Sequence, residues 1–284
     1  MEQSNLTSTH PLVSIITPSY NQAAFLSETI QSVLNQDYPN LEYLIVDGGS
    51  QDGSLEIIQH YSDRLAWWVS EKDQGQTDAI NKGFQHAQGD ILAWINSDDT
   101  YLPGAIAEAV SFLVTHPEAG MVYGDANLID ETGQILGSFP ARQTNYQRLR
   151  RGYVHIPQQS AFFRASLWRK AGPLDPSFYF AMDYDLWVRL SKLTPLIYNP
   201  RLWANFRLHG SGKSVIADNR CWPEMLRVHY REGGNSLSPI FFKAKIRPLL
   251  YSWLPLRFRL WLRRVIILAF GLPFLSLLDK HFSL

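Results

Sequence analysis

The segment GDILAWINSDD (89–99) ends a mostly apolar run on two adjacent carboxylates, Asp98 and Asp99. The run predicts a buried strand, and neighbouring like charges at its end raise each other's pKa unless a cation or hydrogen bonds relieve them. A divalent cation shared between one or two carboxylates and the phosphates of a ligand would do so. The pair therefore predicts a metal-assisted phosphate site, and the alternative is that both residues only end the strand and cap the next helix.

The rest of the first hundred residues supplies the elements that would position these carboxylates. Three further runs are rich in β-forming residues and bounded by turn residues, namely LVSIITPSY (12–20), LEYLIVDGG (41–49) and LAWWVSEKD (65–73). Helical patterns lie between them, and one helix face is formed by Leu26, Ile30, Val33 and Leu34. Alternation of strands and helices implies crossover connections, so we predict an α/β fold with a mainly parallel open sheet flanked by helices.

The carboxyl ends of these strands are where a ligand is expected, because open α/β sheets bind ligands in the crevice beyond those ends. The residues that close the four strands are Thr17, Pro18, Tyr20, Asp47, Glu71, Asp73, Asp98 and Asp99. They predict a ring of acids and hydroxyls at one edge of the sheet. For any single member, strand termination and helix capping remain the alternative, most of all for Asp47, which two glycines follow.

Several ligand classes are disfavoured by what the chain lacks. No Gly-x-Gly-x-x-Gly follows the first strand, so a nicotinamide cofactor is not expected. The stretch HGSGKS (209–214) resembles the end of a P-loop, but Arg207 stands where that motif needs glycine. The 26 basic and 26 acidic residues cancel, which gives no overall field that would favour nucleic acid. A nucleotide diphosphate neutralised by a cation is the consistent ligand.

Five motifs in order resemble the family 2 glycosyltransferases, which have the GT-A fold: VSIITPSYN, IVDGGSQDGS, DQGQTDAINKGF, GDILAWINSDD and MDYDLWVRL. The resemblance covers residues 12–235. It implies a GT-A-type domain over that range, preceded by an N-terminal extension (1–11) and followed by a C-terminal tail (236–284). It also implies inverting transfer of a sugar from a nucleotide-diphosphate sugar to a glycan or a lipid-linked acceptor.

The resemblance also implies roles for individual residues of the donor site. Nucleotide-sugar binding falls on Thr17, Pro18, Tyr20, Asp47, Asp73, Asp78, Asn81 and Asp98. The family's Asp-x-Asp metal motif falls on Asn96 and Asp98, and because its first acid is Asn96 here, Asp98 and Asp99 would carry Mg²⁺ or Mn²⁺. His209 follows the last core strand and would reach back to the metal or diphosphate, although a packing role is the alternative. Gly48 stands where many relatives carry an acid that contacts the base, which leaves base selectivity open.

Asp183 in MDYDLWVRL occupies the position of the family's general base, with Met182 in place of the glutamate that often precedes it. An inverting transfer needs one carboxylate to take the proton of the attacking acceptor hydroxyl, while the metal stabilises the leaving group. The pattern predicts a helix that begins near Asp183 and shares a face among Leu186, Leu190 and Leu193, so capping is the alternative role. Predicted acceptor contacts are Gln158, Gln159, Ser160 and Asp185, and the first three could equally satisfy their own loop.

The composition changes after residue 236. Eight basic residues and one acid lie between 240 and 284, interleaved with aromatic and aliphatic residues. The apolar run at 265–278 has 14 residues, fewer than the ~20 needed to span a bilayer. We predict a helical tail that attaches to an anionic membrane surface, or alternatively one that packs on the domain or on another copy. With no signal peptide predicted and a single cysteine, we expect a cytoplasmic enzyme, peripheral at the cytoplasmic face of a membrane.

Two other classes remain open beside the metal-assisted glycosyltransferase. A sugar-nucleotide nucleotidyltransferase shares the sheet and the carboxylates, but should have a Gly-rich basic loop after the first strand, and TPSYNQAAF contains neither glycine nor a basic residue. A non-catalytic nucleotide-sugar-binding protein would not need Asp183. No nucleic-acid partner is expected.

Overall fold

A computed structural model of the protein describes residues 10–139, 141–213 and 220–246. The strands are β1 (Val13–Ser19), β2 (Leu41–Asp47), β3 (Trp67–Ser70), β4 (Ile91–Trp94), β5 (Thr100–Tyr101), β6 (Met121–Ile129), β7 (Ile135–Ser138), β8 (Ala161–Arg164) and β9 (Leu196–Arg207). The α-helices are α1 (Ala23–Leu34), α2 (Ser54–His60), α3 (Gln76–His86), α4 (Ala105–Thr115), α5 (Tyr146–Leu149), α6 (Ala165–Ala171), α7 (Met182–Ser191), α8 (Cys221–Arg231) and α9 (Pro239–Phe241).

The strands form one sheet in the order β3-β2-β1-β4-β8-β6-β9-β5, with β7 paired to β6. Strands β3, β2, β1 and β4 are mutually parallel, as the sequence predicts. The second half is mixed, because β8 runs antiparallel to both β4 and β6, while β9 is parallel to β6 and antiparallel to β5. The α/β fold is therefore confirmed, and its sheet combines a parallel half with a mixed half.

Both faces of the sheet are covered, which explains why the strand sequences are apolar without strict alternation. Successive residues of a strand point to opposite faces, so Ile16 and Leu44 enter one hydrophobic cluster while their neighbours Ile15 and Ile45 enter the other. All four side chains are completely buried. The two clusters fix the sheet between the helical layers and hold the strand ends in register.

Helix α3 approaches β1 closely because Gly83 has no side chain. A Cβ atom at position 83 would lie 2.5 Å from Cγ2 of Ile16, well inside van der Waals contact. The helix also packs against β2, with Ile80 and Phe84 in the same cluster as Ile16. This close approach brings the N-terminus of α3 to the carboxyl edge of the parallel strands.

The helix that was predicted to begin near Asp183 forms as α7 and begins at Met182, one residue earlier. It buries Leu186, Trp187 and Leu190, whereas Leu193 lies beyond the helix and is 50% exposed. Leu193 was predicted to share the buried face, and it does not because the helix ends at Ser191.

The packed part of the chain continues past the domain boundary predicted at residue 235. Ile240 is 1% exposed and belongs to the same hydrophobic cluster as Trp187. The predicted helical tail beyond residue 246 and the predicted N-terminal extension up to residue 9 lie outside the described residues. Within the described ranges, no helix is both long and apolar enough to cross a bilayer.

Candidate active site

Asp47 ends β2 at the predicted edge, and its carboxylate is fully buried. It accepts hydrogen bonds from the backbone N–H groups of Gly49 (3.1 Å) and Ser50 (2.9 Å). The hydroxyls of Ser50 (2.5 Å) and Ser70 (2.7 Å) also donate to it. Asp47 therefore shapes the loop after β2 and joins that loop to β3, and its own oxygens are engaged within the protein.

The loop after β1 presents an aromatic ring to solvent. Tyr20 is 62% exposed, and the next residue, Asn21, adopts a left-handed backbone conformation (φ 51°). The Asn21 N–H donates to Ser50 Oγ (2.8 Å), and Asn21 Oδ1 accepts from Gln51 N–H (2.9 Å). The loops after β1 and β2 are thus tied together, with the Tyr20 ring left free to stack on a planar ligand.

Thr17 and Pro18 were predicted to contact the nucleotide, but both are buried within β1. The Thr17 hydroxyl lies 2.9 Å from the hydroxyl of Tyr43, which is in β2. A different β1 residue has an available hydroxyl: Ser19 is 3% exposed, and its Oγ has no hydrogen-bond partner among the described residues. Because unpaired buried hydroxyls are costly, Ser19 is the stronger candidate for a ligand contact.

Asp73 follows β3 and lies against Gly48. A Cβ atom at position 48 would be 2.8 Å from Asp73 Oδ2, so the carboxylate of Asp73 fills the space that a side chain at position 48 would need. Asp73 Oδ1 accepts from Gly75 N–H (2.8 Å). An acid therefore stands at this edge although position 48 is glycine.

Asp78 and Asn81 lie on α3 and were predicted to line the same nucleotide pocket. Asp78 Oδ2 accepts from Gln74 N–H (3.1 Å) at the start of the helix. The Asn81 side chain donates to Leu174 O (2.8 Å) and accepts from Leu174 N–H (2.9 Å). Both side chains thus hold neighbouring loops in place, which gives each of them a structural role.

Asp98 and His209 meet at the end of β4, although 111 residues separate them in sequence. His209 Nε2 lies 2.9 Å from Asp98 Oδ2, and His209 Nδ1 lies 2.9 Å from Ser211 Oγ. The imidazole is 5% exposed and packs on the ring of Phe25. The structure therefore brings together two of the three residues predicted to hold a metal.

Asp99, the third, is fully buried beside them. Its Oδ1 accepts from the backbone N–H of Arg207 (2.9 Å), and its Oδ2 accepts from Asn96 Nδ2 (3.2 Å). Burial and the neighbouring charge of Asp98 raise the pKa of Asp99 well above its usual range. Both oxygens of Asp99 are engaged inside the protein. The contacts therefore give Asp99 a structural role, whereas the prediction was that it would bind the metal directly.

Arg207 is the positive group that faces this acidic strand end. Its side chain is nearly completely buried and donates to the backbone oxygen of Asp98 (2.8 Å). It also pairs with Glu28 (2.5 Å), and its guanidinium lies over the Phe25 ring. The sequence analysis considered this arginine only as a departure from the P-loop pattern. Its role depends on β9 pairing with β5, so no local signal identifies it.

Asn96 and the predicted acceptor residues form a polar cluster under the strand end. Asn96 Nδ2 donates to Gln158 Oε1 (3.3 Å), and Gln158 Nε2 donates to the backbone oxygen of Trp94 (2.7 Å). The Gln159 side chain is hydrogen-bonded to Asp99, and the hydroxyl of buried Ser160 donates to Gly124 O (2.8 Å). All three predicted acceptor residues are thus engaged in holding the loop and the strand end.

Asp183 lies in the first turn of α7 and is partly exposed. Burial of its carboxyl group raises its pKa, while Lys213 and the Tyr184 N–H, which donates to Oδ1 (2.7 Å), oppose that shift. The preceding residues are fixed by Glu224 of α8, which accepts from the N–H groups of Tyr179, Phe180 and Ala181 (2.7–3.0 Å). Glu224 thereby fixes the start of α7. The sequence does not indicate this role, because it depends on a contact between α8 and the residues before α7.

Asp185, the other acid in the first turn of α7, is completely buried. It pairs with Arg189 (2.9 Å) and with Arg231 of α8 (2.5 Å). Its predicted contact with the acceptor is wrong, because a carboxylate enclosed by two arginines and fully buried cannot reach an acceptor hydroxyl. Asp185 instead joins α7 to α8.

The N-terminus of α3 contacts three other segments of the site, through Asn96, Lys213 and Met182. Gln76 Nε2 donates to Asn96 Oδ1 (2.7 Å), and Gln76 Oε1 accepts from Lys213 Nζ (2.8 Å). The Thr77 hydroxyl lies 2.9 Å from Sδ of Met182, the first residue of α7. The segment after β4 that carries Asp98 and the start of α7 that carries Asp183 therefore both contact the same end of α3.

The residues present fit a divalent cation bound together with a diphosphate. Among the described residues no group of three His, Cys, Asp or Glu side chains is placed to hold a metal, so Asp98 and His209 are the available pair. Their facing atoms are 2.9 Å apart and form a hydrogen bond, so a cation that took both side chains as ligands would replace that bond. Ions of this kind often take one or two protein ligands and complete their shell with phosphate oxygens and water.

A separate cavity of about 330 Å³ lies between the loop at Arg150 and Arg151 and the turn after α8. None of the strand-end residues lines it. We therefore place the candidate site at the carboxyl ends of the strands, where Asp73, Asp98 and the exposed ring of Tyr20 follow β3, β4 and β1.

Comparison with known proteins identifies the family of the chain. The model of the family described as "Glycosyl transferase family 2" matches residues 14–171. An uncharacterized glycosyltransferase of Rickettsia conorii is 31% identical over 221 residues, which are 74% of this chain and 36% of that protein. The chain thus spans about a third of the length of this relative.

Two solved structures share the fold at low sequence identity. S. aureus TarS in complex with UDP-GlcNAc superposes with a TM-score of 0.63 at 16% identity, over 82% of this chain and 71% of that one. Mannosyltransferase PcManGT of Pyrobaculum calidifontis, in complex with GDP-Man and Mn²⁺, has a TM-score of 0.61 at 22% identity, over 96% and 80%. Since the family model covers more than half of the chain and the folds agree, the protein belongs to glycosyl transferase family 2.

Proposed function

We propose that the protein is an inverting glycosyltransferase that moves one sugar from a nucleotide-diphosphate sugar to a hydroxyl of a glycan or lipid-linked acceptor. The observation that supports this proposal is that the start of α3 contacts Asn96, two residues before Asp98, and Met182, the residue before Asp183, while Asp98 itself meets His209. A direct displacement would need the groups that bind the donor and the base to lie near one another in this way. A nucleotidyltransferase would need a Gly-rich basic loop after β1, which TPSYNQAAF does not supply, and a pure binding protein would not need the carboxylate of Asp183.

The nucleotide would lie along the ends of β1, β2 and β3. Exposed Tyr20 offers a stacking surface for the base, and Ser19 offers a buried hydroxyl without a partner among the described residues. Asp73 supplies an acceptor oxygen beside Gly48. The solved relatives were observed with UDP-GlcNAc and with GDP-Man, so the class of donor has a precedent in the fold, while the base and sugar remain to be measured.

Asp183 would act as general base in the transfer step. As the acceptor oxygen attacks the anomeric carbon, its proton passes to the Asp183 carboxylate, and the bond from that carbon to the diphosphate breaks with its electrons leaving on the phosphate oxygen. Attack opposite the leaving group inverts the anomeric centre. Burial raises the pKa of Asp183, which makes its carboxylate a stronger base than an exposed aspartate.

Asp98 and His209 would hold a divalent cation, Mg²⁺ or Mn²⁺, whose charge offsets that of the leaving diphosphate. Arg207 fixes the backbone of Asp98, and Asp99 is held by the backbone of Arg207. These contacts keep the Asp98 side chain directed at His209. The PcManGT structure contains Mn²⁺, which is consistent with a cation-dependent donor site here.

The first test is a thermal-shift panel of nucleoside diphosphates and nucleotide sugars, each with and without Mn²⁺. A ligand at 100 times its dissociation constant stabilises the native state by about 2.7 kcal/mol, which is readily visible as a shift in melting temperature. We expect one nucleoside diphosphate and its sugars to stabilise the protein, and to do so more strongly with Mn²⁺. If no nucleotide in the panel raised the melting temperature, the proposed function would be wrong.

We also propose that the tail attaches the enzyme to the cytoplasmic face of an anionic membrane, where a lipid-linked acceptor would be at hand. The proposal rests on the basic and aromatic composition of 240–284, since each basic residue near such a surface contributes about 1 kcal/mol to binding.

The test is cosedimentation of the protein with vesicles. Vesicles of phosphatidylserine and phosphatidylcholine should bring the protein into the pellet, and vesicles of phosphatidylcholine alone should bring down less of it. Salt should weaken binding only partly, because the apolar contribution is not screened. Protein that stays in the supernatant with both vesicles would contradict the proposal.

A further inference from the structure

Lys213 stands at the end of the described loop that follows β9, four residues after His209. Its Nζ donates to Gln76 Oε1 (2.8 Å) and lies 4.1 Å from the centroid of the Tyr179 ring. Tyr179 is itself fixed, because Glu224 accepts its backbone N–H (3.0 Å). The ammonium group is therefore held in one place by an amide oxygen and an aromatic face.

The hydrogen bond to Gln76 is the first of a chain with a single direction. Lys213 donates to Gln76 Oε1, Gln76 Nε2 donates to Asn96 Oδ1 (2.7 Å), and Asn96 Nδ2 donates to Asp99 Oδ2 (3.2 Å). An ammonium group can only donate, so Lys213 sets the polarity of the whole chain. The chain joins a cation on the base side to a carboxylate on the metal side.

This polarity gives a physical reason for asparagine at position 96. An aspartate there could accept from Gln76, but it would have no N–H group for Asp99 or Gln158. It would also place another negative charge beside the buried Asp99, whose pKa burial and Asp98 already raise. The amide is thus required by its neighbours, and position 96 is part of the support for the site.

Lys213 also acts electrostatically on Asp183. Burial lowers the pKa of Lys213 to about 8, while the charges of Asp183 and Glu224 oppose that shift. In return, the Lys213 charge favours the ionised form of Asp183 against the effect of burial. The other acid of the same helix turn, Asp185, is paired with Arg189 and Arg231.

We propose that Lys213 is a positioning residue for the transfer reaction, whose ammonium, held by Gln76 and the Tyr179 ring near the start of α7, prepares the Asp183 carboxylate to accept a proton. This inference rests on the proposed function of Asp183 as base. Without the Lys213 charge, burial would leave Asp183 protonated over more of the pH range, and a protonated carboxyl group cannot take the acceptor proton.

The test compares Lys213→Met and Lys213→Arg with the wild type in the pH dependence of donor turnover, measured as release of nucleoside diphosphate between pH 5 and 8. Because a nearby opposite charge favours the ionised form of a carboxyl group, Lys213→Met should move the acid limb of kcat to higher pH by a few tenths of a pH unit or more. Lys213→Arg keeps the positive charge, so its acid limb should lie at the same pH as that of the wild type. Lys170→Met, at an exposed lysine of α6, is the matched control and should leave the profile unchanged.

A second readout does not depend on turnover. The urea midpoints of Lys213→Met, Asp183→Asn and the double variant form a cycle, and we expect their effects to be non-additive because the two charges interact. An additive cycle, or an acid limb that stays in place in Lys213→Met, would overturn the inference. Loss of nucleoside diphosphate affinity in Lys213→Met with an unmoved limb would overturn it as well, since Lys213 would then contact the donor. A wild type that turns over no donor would count against the proposed function, and the cycle would still decide whether Lys213 and Asp183 are coupled.

Discussion

Replacing Asp183 by asparagine should slow glycosyl transfer by roughly 10²-fold or more, the usual contribution of a positioned general base, while donor affinity stays unchanged. Asparagine keeps the size of the side chain and can still accept from the Tyr184 N–H, but it cannot take a proton from the acceptor. The decisive measurement is turnover of the donor identified in the thermal-shift panel, together with its dissociation constant by calorimetry.

The matched control for this prediction is Asp63→Asn, which makes the same chemical change at an exposed position and should not alter turnover. Wild-type rates in Asp183→Asn would remove Asp183 from the chemistry. A variant that lost donor affinity together with turnover would indicate a structural role at the start of α7. Circular dichroism separates that result from simple unfolding.

Replacing Asp98 by asparagine should remove most of the Mn²⁺-dependent part of nucleoside diphosphate binding. Loss of a residue that only supports a metal ligand typically costs 10–100-fold in metal affinity, so loss of Asp98 itself should cost on the order of 100-fold or more. Asparagine preserves the shape of the strand end but lacks the charge that faces His209 Nε2 at 2.9 Å. Titration of the nucleoside diphosphate with and without Mn²⁺ measures the effect directly.

Asp90→Asn serves as the control, because Asp90 is exposed at the opposite end of the same strand, β4. It should bind like the wild type under both conditions. If Asp98→Asn kept its full response to Mn²⁺, the cation would be held elsewhere or would not be needed. Binding that weakened equally with and without Mn²⁺ would assign Asp98 to the nucleotide and not to the cation.

The sequence was sufficient for the parallel half of the sheet and for the place where its polar residues collect. Those inferences depend on local patterns, namely apolar runs, helical spacing and the rule that ligands bind at carboxyl strand ends. The position of Asp183 at a helix start was predicted from the helical pattern of MDYDLWVRL, and the family resemblance implied that His209 would reach back towards the metal or the diphosphate. In these cases a short motif carries both the residue type and its surroundings.

The sequence could not indicate the direction in which an individual side chain points. Thr17 and Ser19 are both hydroxyl residues near the end of β1, yet Thr17 faces Tyr43 in the interior and Ser19 has no partner among the described residues. Asp98 and Asp99 are adjacent, yet only Asp98 faces His209. Thr17 and Ser19 share a face of β1, and Asp98 and Asp99 follow the end of β4, so the neighbours that each side chain meets decide such cases, and these depend on the finished packing.

The residues that support the site were missed for a related reason. Arg207 and Glu224 have no motif of their own, and Gln76 lies in the motif DQGQTDAINKGF without being singled out by it. Each acts through a partner distant in sequence. Arg207 reaches Glu28 across 179 positions, and Glu224 fixes the backbone at Tyr179 across 45. Such pairings become visible only when the second half of the sheet and α8 are placed.

The wide sequence separation across the site has a consequence for how the protein acquires its activity during folding. Asp99 contacts Arg207, 108 residues later, and Asp98 contacts His209, 111 residues later. Contacts between residues so far apart in sequence form late in folding, because the long loop between them must close first. The parallel half can collapse around its own apolar runs before β9 arrives, but it then lacks His209 and Asp183. Donor binding is therefore a property of the completed chain topology, and a nascent chain released after residue 171 would contain the whole family-matched segment without a working site.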